Sequence, residues 1–202
     1  IVSDISPDGE QVASAIRAAG GDALFVQSDV SKTNDVQTLI ERAVSHFGRL
    51  DIAVNNAGID PEVAPVAEWD EAVFTRIMAV NLQGVFLCMK YEIEQMLAQG
   101  GGAIVNVASA AGLIGVANKP AYTASKHAVL GLTRASALQH GRAGIRVNAV
   151  CPGGVDTPIL HGNLSGPADL AGVDASHPIG RMGQPADIAS AILWLASDRA
   201  EF

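Results

Sequence analysis

Ala103-Ile-Val-Asn-Val-Ala-Ser109-Ala-Ala-Gly-Leu-Ile-Gly-Val-Ala-Asn-Lys-Pro-Ala-Tyr122-Thr-Ala-Ser-Lys126 is the stretch from which the rest of this chain can be read. Its first six residues are an apolar run with β-branched side chains at 104, 105 and 107, set off by Gly100, Gly101 and Gly102. Length and punctuation predict a buried strand, with Ser109 at its carboxyl end. Pro120 suits the first turn of a helix, because its φ is already helical and its missing N–H would have no partner there. On that helix Tyr122 and Lys126 stand four apart on one face. A phenol with a pKa of about 10 is a poor base near neutrality, and a neighbouring ammonium favours its ionised form. The spacing therefore predicts that Lys126 makes Tyr122 usable in proton transfer, with the Ser109 hydroxyl opposite to hold a substrate oxygen. Tyr-x-x-x-Lys alone also describes an exposed helical pair; the strand-end serine ahead of it sets this stretch apart.

Outward from it, strands alternate with helices. Strands are predicted at Ile1–Asp4, Ala23–Val26, Leu50–Val54, residues 103–108 and Ile145–Val150. Ser6 and Pro7 look like an N-cap and first helical residue, and Gly20-Gly21 stops that helix. Val36, Leu39, Ile40, Ala43, Val44 and Phe47 recur at helical spacing until Gly48. A long helical region is expected from about Trp69 to Ala98, another helix from 121 to about 139, and a last one opened by Pro185. From Pro152 to about Gly183 the chain reads as a polar loop rich in glycine and proline. This alternation implies an α/β fold, a doubly wound parallel sheet with helices on both faces, in three layers. Ligands bind such sheets at the carboxyl ends of the strands, where Asp4, Asp29, Asn55, Ser109 and the loop after Val150 fall.

The 202 residues suit one domain, residues 1–202, with no internal repeat or linker. Apolar residues make up 49% and aromatic ones only 4%, so the core should be aliphatic. A net charge of −8 without a basic stripe argues against a nucleic-acid partner. No uninterrupted apolar run approaches a membrane span, and no leader pattern is recognisable. Cys88 and Cys151 read as free thiols of a reducing cytoplasm rather than a disulfide scaffold. His161 and His177 show no metal-ligand spacing with a third group, so no metal is expected.

The Ser109, Tyr122 and Lys126 pattern resembles the active-site region of the short-chain dehydrogenase/reductase family, and the likeness runs over nearly the whole chain. It implies a Rossmann fold and hydride transfer between NAD(H) and a secondary alcohol or ketone. Tyr122 would be the general acid/base, Ser109 would orient the oxygen, and Lys126 would tune Tyr122 and bind the nicotinamide ribose. Asn81, a poor helix-interior residue, would mark a helix kink whose carbonyl completes a proton relay. Asp4, one βα unit past the family's glycine-rich turn, would accept from the ribose 2′-OH, favouring NAD over NADP. Asp29 and Val30 match the adenine contact. Asn55, Ala57 and Gly58, from Asn55-Asn-Ala-Gly58, would steady the sheet and admit the cofactor ribose. Pro152, Gly153, Val155 and Thr157 match the nicotinamide loop, with Gly154 standing where family members often carry a larger residue.

The first strand, the glycine-rich turn and the last strand of the family pattern are not recognisable, so the chain is expected to be truncated at both ends. A homotetramer is expected by resemblance, built on the apolar residues Val85, Phe86, Leu87, Met89, Ala128, Val129, Leu130 and Leu132. The substrate class stays open. The competing reading is a non-enzymatic NAD(H)-binding module or an inactive partner in an oligomer.

Overall fold

In the computed structural model, which describes every residue except Glu62, Ser165 and Phe202, strands and helices alternate in the expected order. They are β1 (Val2–Asp4), α1 (Gly9–Ala18), β2 (Phe25–Gln27), α2 (Thr33–Phe47), β3 (Ile52–Asn55), α3 (Glu71–Met78), α4 (Val85–Gln99), β4 (Gly102–Val107), α5 (Pro120–His140), β5 (Ile145–Val150), α6 (Pro158–His161), α7 (Pro167–Ser176) and α8 (Pro185–Ala196). Every ladder is parallel. β1 pairs with β2, and β4 lies between β3 and β5. Among the described residues no ladder joins β1 to β3, so the strands form two sheets.

β4 explains the layering. Alternate side chains point to opposite faces of a strand, and both faces of β4 are covered. Ile104 and Ala108 pack into a core with Val85, Met89, Ile93 and Met96 of α4 and Val129 and Leu130 of α5. Val105 and Val107 turn the other way, toward Ile188, Ile192 and Leu195 of α8. Each fully buried aliphatic side chain here contributes about 1.5–3 kcal/mol. Ile104→Ala would therefore open the central layer at a cost of about 2–5 kcal/mol.

The register carries this order to the site. Asn55 lies beside Asn106, and Val107 beside Val150, so β3, β4 and β5 end together. Beyond those ends stand Asn56 to Asp60, Ser109 and the loop from Cys151. Ala110 N–H donates to the Pro152 carbonyl at 2.8 Å, which ties the serine turn to that loop.

Three expectations change. The first helix begins at Gly9 rather than at Pro7. The Pro152–Gly183 segment contains α6 and α7, opened by Pro158 and Pro167 at their first turns. The long helical region expected from about Trp69 to Ala98 is found as Glu71–Gln99, one continuous run long and apolar enough by length and composition to cross a bilayer. Its Val85, Met89, Ile93 and Met96 are spent on the sheet, and it buries Asn81 and Glu92, so it is the central helix of a packed core. The apolar residues expected at an oligomer contact are largely used within the chain. Val85, Leu87, Met89, Val129 and Leu130 are buried, while Phe86 is exposed.

Candidate active site

β4 and α5 bring Ser109, Tyr122 and Lys126 together. Ser109 stands at the start of a 3-10 turn, its hydroxyl accepting from Ala111 N–H at 3.2 Å. Pro120 opens α5 at its first turn. One helical turn then carries the chain from Tyr122 to the buried Lys126, whose Nζ is 5.6 Å from the Tyr122 ring centroid and donates to the Val107 carbonyl at 2.8 Å.

The electrostatics differ from the sequence expectation. Burial pushes the Tyr122 phenol above its ordinary value; a hydrogen bond from Ser109 works against this, and the Asp60 charge adds to the rise. Lys126 does not figure among those causes, its ammonium being directed at a backbone carbonyl. Burial also brings Lys126 down to about 8, opposed by the charges of Asp60 and Cys151. Taking both groups out of water disfavours their charged forms, and for each of them that is the first cause of the shift.

The helix widens to π geometry over Ala79–Gly84, a form concentrated at functional sites. Within it Asn81 is fully buried. Its amide grips residue 59 from both sides: Ile59 N–H donates to Oδ1 at 2.8 Å, and Nδ2 donates to the Ile59 carbonyl at 2.8 Å. Asn81 thereby fixes the loop after β3. Gly58 packs between two site residues, since a Cβ there would stand 3.5 Å from both Asn81 Oδ1 and Lys126 Nζ. Ala57 is exposed just before it.

Beneath that loop lies a buried polar chain. Asn55 Nδ2 donates to Asn106 Oδ1 at 2.9 Å and to Glu92 Oε2 at 3.0 Å. Asn106 Nδ2 donates to Thr133 Oγ1 at 2.9 Å, which donates to the Val129 carbonyl at 2.8 Å. Burial pushes the Glu92 carboxyl up to about 7, with the Asn55 bond acting against it. Asn55 thus joins β3, β4, α4 and, through Asn106, α5.

At the other end, Asp4 is exposed at the end of β1 and accepts from Ser6 N–H at 2.8 Å. Asp29 accepts from the Ser31 hydroxyl at 2.7 Å and is paired with Lys32, and these hold its carboxyl below the usual range. Val30 packs against Val36, Leu87 and Cys88. A cavity of about 290 Å³ opens here, lined by Ile5, Gln27, Ser28, Asp29, Lys32 and Asp35. The Ser28 hydroxyl is buried without a partner. An orphaned hydroxyl beside a polar cavity at strand ends fits the polar edge of a nucleotide.

The Pro152–Thr157 loop is braced from two sides. Val155 bridges to Gly183, and Thr157 caps α6. His177 accepts from Gly154 N–H at 3.1 Å through Nε2, while its Nδ1 lies 2.7 Å from the Val173 carbonyl. Gly154 is required by this contact, because a Cβ there would stand 2.7 Å from Val173 and 3.0 Å from His177. Cys88, pushed up to about 12 chiefly by burial, is a poor nucleophile, and Cys151 is raised for the same first reason. Among the described residues no group of three or more His, Cys, Asp or Glu could hold a metal ion.

Comparison with known proteins gives the family. A family model described as enoyl-(acyl carrier protein) reductase matches residues 1–202. Cis-4-hydroxycyclohexanecarboxylate dehydrogenase of Sinomonas cyclohexanicum is 45% identical over 100% of this chain and 80% of its own. Cyclohexanol dehydrogenase of Acinetobacter sp. (strain SE19) is 44% identical over 100% of this chain and 79% of its own. Among solved structures, ElxO with NADP bound superposes with a TM-score of 0.90 and 32% identity, covering 99% of this chain and 82% of that one. The chain belongs to the short-chain dehydrogenase/reductase family. It is a nicotinamide-dependent oxidoreductase of the alcohol and ketone class.

Proposed function

We propose that this protein oxidises a secondary alcohol on a six-membered carbon ring with NAD, and reduces the corresponding ketone in reverse. The gathering of Ser109, Tyr122 and Lys126 at the end of β4 carries the reading. The cofactor, when bound, supplies the hydride acceptor. Asp4, Asp29, Val30, Asn55, Ala57, Gly58, Tyr122, Lys126, Pro152, Gly153, Val155 and Thr157 would hold it. As the phenolate Tyr122 takes the hydroxyl proton when the alcohol is oxidised, and as the phenol it returns that proton when the ketone is reduced, while Ser109 donates to the substrate oxygen. Lys126 keeps a cation beside the phenol. Asn81 fixes the loop against which the lysine packs.

NAD is favoured because Asp4 is exposed and would repel a 2′-phosphate. The ring substrate is supported by the names of the two dehydrogenase relatives and by the apolar Leu113, Ile114 and Val116, all exposed near Ser109. We further infer a cytoplasmic homotetramer. Exposed Phe86 on α4 supports an apolar contact beyond the chain, and the free thiols Cys88 and Cys151 support a reducing compartment.

The test mixes the full-length protein with NAD or NADP and a panel of cyclic and open-chain alcohols, following cofactor fluorescence. NADH formation with cyclohexanol, faster than NADPH formation, is expected. Cofactor binding with no turnover of any alcohol would instead favour a binding module.

A further inference from the structure

Asp60 stands two residues past Gly58 on the loop that leaves β3, with its side chain only 6% exposed. Three segments meet at it. Lys119, just ahead of Tyr122, forms an ion pair with Oδ2. Asn163, past the end of α6, donates Nδ2 to the same oxygen at 3.3 Å. Oδ1 is buried and has no hydrogen-bond partner. Folded proteins seldom leave a buried carboxylate oxygen unmatched, and each such atom calls for an explanation.

Its position supplies one. Gly58, two residues before Asp60, packs against Lys126 Nζ, and Lys119, paired with Asp60, stands three residues before Tyr122, so the carboxylate lies on the side of the pair that would move the proton; its charge acts on both. Asn163 adds the segment after α6 as a third wall. The missing partner must bring a hydrogen. A carboxylate has none to give and would set anionic oxygens against each other. An ammonium would enter beside two cations, Lys119 and Lys126. A neutral hydroxyl fits.

We propose that Asp60 is a specificity-determining residue whose Oδ1 accepts a hydrogen bond from a second hydroxyl group of the substrate, making the favoured substrate a diol rather than a simple alcohol. This rests on the dehydrogenase reading above. Lys119 holds the carboxylate in place from the Oδ2 side, and Asn163 closes the site over it.

The test uses the full-length protein with NAD. It compares kcat/KM for cyclohexanol, the isomeric cyclohexanediols and 4-hydroxycyclohexanecarboxylate in the wild type, Asp60→Ala, Asp60→Asn and Lys119→Met. The wild type should prefer at least one diol. Asp60→Ala should lower the diol-to-cyclohexanol ratio about tenfold to a hundredfold, the range for a hydrogen bond to a charged group. Asp60→Asn, which keeps the shape should Asp60→Ala fold poorly, should lower the ratio as well. Lys119→Met, which leaves Oδ1 but removes the group that holds Oδ2, should lower the ratio less than Asp60→Ala does. A binding readout runs beside turnover: with NADH present, the preferred diol should raise the melting temperature of the wild type more than that of Asp60→Asn. Turnover of cyclohexanol with an unmoved ratio in both Asp60 variants, or a wild-type preference for the hydroxy acid, would overturn this inference and leave the dehydrogenase reading standing. No turnover of any alcohol would overturn both.

Discussion

At the β4–α5 end of the molecule, Lys126 and Glu92 are buried with their proton affinities moved by that burial, and burial raises Tyr122 too. At the β1–β2 end, Asp4 is exposed and Asp29 is satisfied by its near neighbours Ser31 and Lys32. The first end controls which protonation state exists, because desolvation disfavours charge. The second controls which cofactor is tolerated, because an exposed carboxylate acts on what approaches it. Substitutions at the two ends should therefore fail differently: in chemistry or stability at one, in cofactor choice at the other.

The largest break belongs to the buried end. Ser109→Ala should lower kcat by about 10²–10³, the cost of losing one donor to a developing oxyanion, with cofactor affinity retained; steady-state rates and cofactor titration check both halves. Glu92 gives a stability effect. Its folded value is raised to about 7 from 4.5, so it stabilises the fold fully below the unfolded value, and that stabilisation is lost as pH rises through about 7. The loss amounts to about 3 kcal/mol. Glu92→Gln, which still offers Asn55 an oxygen, should flatten the pH dependence of urea unfolding across that window.

A smaller effect is expected at the exposed end. Asp4→Asn should shift the NADP-to-NAD ratio of kcat/KM by about tenfold toward NADP, as removing a charge repulsion would, and leave the NAD-linked kcat near wild type. The smallest lies between the ends. His177→Leu deprives Gly154 N–H of its acceptor, and at about 1 kcal/mol for one hydrogen bond the KM for NAD should rise several-fold while kcat holds. An equal loss in kcat would place His177 with the buried end instead.

Local signals made much of this legible. The β-branched run before Ser109, Pro120 at a helix start, and the four-residue step to Lys126 are all short-range features, and the structure has them together. The tuning of Tyr122 was not legible, because whether an ammonium or desolvation dominates depends on packing that spacing does not contain. The Asn55–Asn106 bond depends on strand register, and the Asn55–Glu92 bond on how α4 crosses the sheet. Glu92 did leave a trace, an acid four residues after Cys88 and next to Ile93 in an apolar helical run. His177 and Asp60 left none, since their partners lie 23 and 59 residues away. Pro158 and Pro167 each open a helix inside the segment whose glycines and prolines predict a loop.

The account depends most on Tyr122 as the group that moves the proton. NADH formation from cyclohexanol and NAD, measured for the full-length wild type and Tyr122→Phe beside a cofactor-binding titration of each, tests it directly. Turnover by the wild type, a loss of about 10²–10⁴ in kcat for the variant and equal cofactor binding are the predicted result; a variant that binds and turns over like the wild type would contradict it.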